Sequence, residues 1–64
     1  MYALEVFFPN DPRPRHVERL NAATQVLTRI AELLAEHDGC DKVVVTFDSR
    51  RLFSVDCKGN TESG

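Results

Sequence analysis

The chain has 64 residues, 42% of them hydrophobic and 28% charged, with a formal net charge of −2. That length excludes a second domain, and that composition excludes wholesale disorder. The near-balance of charge excludes a global pull toward nucleic acid or an acidic membrane surface, so only local clusters of charge could serve either. A core this small buries only about 60% of the unfolded surface, and scaffolds of this size often rely on a disulfide, a metal or a partner subunit.

Residues 2–8 begin the chain as a strand. Tyr2, Leu4, Val6 and Phe8 fall on one face, and the segment is rich in aromatic and β-branched residues. Three prolines, Pro9, Pro12 and Pro14, then forbid a continued ladder. The apolar spacing predicts a helix from about His16 to His37, with Gly39 just beyond its end. On such a helix the apolar arc runs from Leu33 and Val26 through Ile30, Leu34, Leu27 and Leu20 to Val17. It spans roughly 200°, about twice what one core face needs.

Residues 42–48 and 52–58 read as two further strands joined as a hairpin. Matching apolar faces sets Phe47 opposite Phe53, Val45 opposite Val55 and Val43 opposite Cys57, across an odd-length turn over Ser49, Arg50 and Arg51. The expected fold is a single α+β domain over residues 1–58, in β-α-β-β order, with one helix on a three-stranded mixed sheet. Residues 59–64 are expected to form a flexible tail. This order resembles the layout of small bacterial and phage regulators, among them the DinI-like recombinase modulators. The resemblance lies in the order of elements alone, and no site residue is carried over from it.

That topology would gather Arg13, Arg15, Arg19, Arg50 and Arg51 at the pole of the helix N-terminus, with Glu32, Glu36, Asp38 and Asp41 at the other. Guanidinium groups beside free N–H groups suit phosphate or carboxylate, which makes the five arginines a candidate anion-binding set. The plainer reading is solvated charge paired with Asp11, Glu18 and Asp48. Nucleic acid is not the favoured partner, because the aromatics belong to strands and none is left to stack on bases.

Chemistry has few candidates. His37 and Cys40 lie three apart, but no second close-spaced ligand pair completes a zinc site. Cys40 and Cys57 are expected as free thiols in a reducing cytosol, with their pairing disfavoured by the register. No residue pair has the look of a nucleophile with an oriented base, and no glycine-rich phosphate loop is present. No metal, cofactor or catalytic residue is therefore expected, and the chain reads as non-enzymatic. No apolar run is long enough to cross a bilayer, so no membrane partner is expected and the cytoplasm is the default setting. The favoured function is a protein-binding or regulatory module that self-associates. The partner-facing residues are expected to be Val26, Ile30 and Leu33 on the helix flank, or an open sheet edge.

Overall fold

A computed structural model describes residues 1–63. The elements in chain order are β1 (Tyr2–Phe7), β2 (His16–Leu20), α1 (Ala23–Glu36), β3 (Lys42–Phe47), β4 (Arg50–Asp56) and a short β5 (Thr61–Ser63). The strands form one antiparallel sheet of four principal strands in the order β2-β1-β3-β4, with β5 added beside β4. This overturns the three-stranded mixed sheet and the β-α-β-β order, and with them the likeness of layout to the DinI-like regulators.

The difference begins at residues 16–20. They were expected as the first turns of the helix and are instead a strand returning along β1, with Val6 opposite His16 and Tyr2 opposite Leu20. The proline-rich segment makes the reversal. Asn10 holds a positive φ of 63°, the Asp11 N–H bonds the Phe8 carbonyl, and the Arg15 N–H bonds the Val6 carbonyl at 2.8 Å. Val17 and Leu20, three apart, suit a helical period and fall on opposite faces of the strand, so the spacing pointed to the helix. Because β2 brings the chain back to the start of β1, α1 climbs alongside β1 and β3 then descends. Thus β3 pairs antiparallel with β1, where a parallel crossover was expected.

The helix begins one residue after Ala22, which has extended backbone and offers no capping side chain. Its 14 residues are mostly good helix formers. It ends where the His37 N–H bonds the Leu33 carbonyl at 2.9 Å, and Gly39 then turns the chain at φ 84°. Val26, Ile30 and Leu33 point into the core against Leu4, Val6, Val43, Val45 and Val55. The over-wide apolar arc disappears, since Val17 and Leu20 belong to β2. The three side chains expected to face a partner are 5%, 5% and 0% exposed, covered by the chain's own sheet. The one large apolar residue of the helix that is exposed is Leu27.

The hairpin is also corrected. Asp48 and Ser49 alone connect β3 to β4, both at positive φ (49° and 70°), as a two-residue type I′ turn requires. The odd residue demanded by the pleat sits in the ladder instead. The pairing runs Phe47 to Arg50 and Thr46 to Arg51, then shifts to Val45 opposite Phe53, which leaves Leu52 as the extra residue of a bulge. Val43 therefore meets Val55, two residues short of the expected Cys57. Val43 and Val45 still meet apolar residues, but Phe47 meets Arg50 in place of Phe53, and the ladder has slipped by one repeat.

That slip carries Cys57 past the Lys42–Asp56 pair to the stretch holding Cys40. The two cysteines are joined by a disulfide, with Cα atoms 5.6 Å apart, so the expected free thiols are corrected. Beyond it, Asp56 organises a turn, its carboxylate accepting from the backbone N–H groups of Lys58 and Asn60. These bonds hold its pKa below the usual carboxylate range, the Asn60 N–H contributing most. Residues 61–63, expected in a tail, pair with β4 there; Gly64 lies outside the described residues. No helix among the described residues is long and apolar enough to cross a membrane.

Candidate interaction surface

The five arginines do not share a pole. Arg13 and Arg15 lie in the loop that follows β1, at the end of the sheet where α1 finishes and its acidic residues collect. Arg50 and Arg51 open β4 at the opposite end, and Arg19 pairs across from Ala3 near that same end. Arg15 is further occupied, its guanidinium 4.0 Å from the centre of the Phe8 ring and 3.7 Å from Asp11. Arg51 reaches the Ser54 hydroxyl at 3.3 Å. The anion-binding set thus separates into two groups.

What the fold does assemble is the edge strand β2. Alternation puts His16, Glu18 and Leu20 on the helix side of the sheet, level with Val6, Leu4 and Tyr2. Val17 and Arg19 fall on the opposite side, level with Glu5 and Ala3. On the helix side Glu18 is gripped by Arg29 of α1 through two bonds, one from Nε to Oε2 and one from Nη2 to Oε1 at 2.7 Å. The same guanidinium reaches Glu32 Oε1 at 2.7 Å and Glu36 at 3.7 Å. His16 Nε2 adds a contact of 3.2 Å to Glu18 Oε1. Arg29's bonds, and secondarily His16, bring the Glu18 carboxyl down to a pKa of about 2, against a smaller opposing effect of burial. The Arg29 guanidinium is held still more firmly protonated, chiefly by Glu18.

The two histidines, expected at opposite ends of one helix, meet here. Their ring centres are 5.2 Å apart, His16 from β2 and His37 from the helix cap, and Phe8 packs edge-on against His37. His37 Nδ1 lies 3.1 Å from the Leu33 carbonyl. Nothing in the sequence announced this seam, because its members come from four segments that only the β2 reversal brings together. Among the described residues no group of three or more histidine, cysteine or acidic side chains could hold a metal ion.

The helix covers one face of the sheet; no helix covers the other, where Val44 and Ser54 are buried, 6% and 3% exposed, but the side nearer the β2 edge is open. On this face Val17 is 45% exposed and Leu52 40%. A depression of about 420 Å³ lies on this face, lined by Glu5, Val17, Arg19 and Asp48 among others. The outer edge of β2 has no neighbouring strand among the described residues, since β1 is its single partner. The sheet's other edge is the three-residue β5. Two surfaces thus converge at Val17: an open edge and an uncovered face. No known protein family, curated protein or solved structure matches the chain.

Proposed function

We propose that the chain is a non-enzymatic protein-binding module that works by self-association through the open β2 edge. The observation that carries this reading is an edge strand held firmly on one side and unoccupied on the other. Glu18 is locked to Arg29, so the strand is already in the shape that docking requires. A preorganised edge loses little conformational entropy when a second strand adds to it, and main-chain hydrogen bonds supply the affinity. The helix flank plays no part, because Val26, Ile30 and Leu33 are core residues. The disulfide supports an oxidising setting for this activity rather than the cytoplasmic one expected from the sequence.

Sedimentation velocity across a concentration series tests the reading. A dimer is expected to populate at micromolar concentration and to be lost in Val17→Lys, with the circular dichroism of the monomer unchanged. A wild-type chain that stays monomeric at the highest attainable concentration overturns it.

A further inference from the structure

Two copies of β2 can meet in only a few ways, and the side chains choose among them. Antiparallel strands related by a two-fold axis place that axis normal to the sheet, so both helices lie on the same side. Each residue then faces a residue of the same face, and one position sits on the axis opposite its own copy. Glu18 on the axis would set two carboxylates face to face, and Arg19 would do the same with two guanidinium groups, both of which destabilise a ladder. His16 on the axis would oppose Glu18 to Pro14, which has no N–H to give. Leu20 would run the pairing into Ala22 and Ala23, where the helix begins.

Building on the self-association proposed above, we infer that the partner is a second copy of this chain docked with Val17 on the two-fold axis. Val17, exposed at 45%, then packs against its own counterpart on the helix-free face. On the helix side His16 of each copy lies opposite Glu18 of the other, so each imidazole stands beside a carboxylate of the second copy as well as its own Glu18 at 3.2 Å. The register opposes Arg15 to Arg19, but Arg15 is drawn away over the Phe8 ring and toward Asp11. Pro14 stops the ladder one residue further on. The result is one continuous sheet through both copies, helices on one side, and a shared helix-free face centred on the two valines.

Directly opposed residues of an antiparallel pair have Cα atoms about 4.5–5.5 Å apart, a separation that a disulfide spans. Val17→Cys is therefore expected to cross-link two chains under mild oxidation, with peptide mapping placing the link at position 17. Arg19→Cys, whose two copies would stand roughly 13 Å apart along the strands, is expected to cross-link at least tenfold more slowly. Amide exchange in residues 16–18 is expected to slow at least tenfold as wild-type concentration is raised through the dimer range. A dimer in which Arg19→Cys links as fast as Val17→Cys, or in which those amides exchange unchanged, overturns this register and leaves self-association standing. A wild-type monomer overturns both.

Discussion

At the scale of single residues, Glu18 carries the most consequence. Its carboxyl ionises at about 2 in the folded chain because Arg29 donates two bonds to it. Against its ordinary value of 4.5 this is a depressed pKa. The stabilisation it provides is therefore fully present above about pH 5 and is lost as pH falls through about 2. Glu18 and Arg29 are each roughly a quarter exposed, so solvent screening reduces the effect. Glu18→Gln is expected to cost about 1–2 kcal/mol at neutral pH. Urea denaturation of both proteins at pH 7 and near pH 2 measures it, and the gap is expected to close in acid. A gap equal at both pH values would show that shape, not charge, links β2 to α1. This pair was not legible beforehand. The two residues are 11 apart and were assigned to one helix, where that spacing puts them on a common face and three turns apart.

At the scale of elements, the hairpin shows what a pattern can and cannot fix. The matching of apolar faces across β3 and β4 was readable, because side chains alternate strictly and Val43, Val45, Phe53 and Val55 leave little choice. The ladder's offset was not, because moving it by two residues preserves every face. The Leu52 bulge hid the answer, since the chain placed its extra residue in the ladder and kept a two-residue turn. Ser49 occupies a left-handed conformation that costs an ordinary residue about 1–2 kcal/mol. Ser49→Gly is expected to raise stability by about 1 kcal/mol, read as a higher midpoint in thermal or urea unfolding. A lower midpoint would mean that the serine side chain holds the turn. The misreading of β2 has a different origin. A five-residue strand that alternates His-Val-Glu-Arg-Leu shows no apolar face of its own. Two of its three helix-side residues, His16 and Glu18, are polar because they meet His37 and Arg29, while Leu20 alone packs against the core.

At the scale of the whole molecule, the disulfide compensates for a small core, nine buried apolar residues besides Cys40 among the described residues. Cross-linking across a separation of 17 residues removes unfolded-state freedom worth about 3 kcal/mol. Reduction, or Cys40→Ser with Cys57→Ser, is expected to lower unfolding stability by about that amount, measured by urea denaturation with and without reductant. A loss under about 1 kcal/mol would show that the unfolded chain is already constrained near these residues. From length alone, a need for a disulfide, a metal or a partner beside the core could be expected. The staple itself could not, because its geometry depended on the ladder slip in β3 and β4.

The same bond gives the chain an unequal response to force. It closes a ring around β3 and β4 and leaves β1, β2 and α1 outside. Stretched from its two ends, the oxidised chain should lengthen by about 50 Å less than the reduced one, since the 17 residues behind the bond never enter the load path. The hairpin would stay latched while the edge strand, the first strand and the helix peel away in front of it.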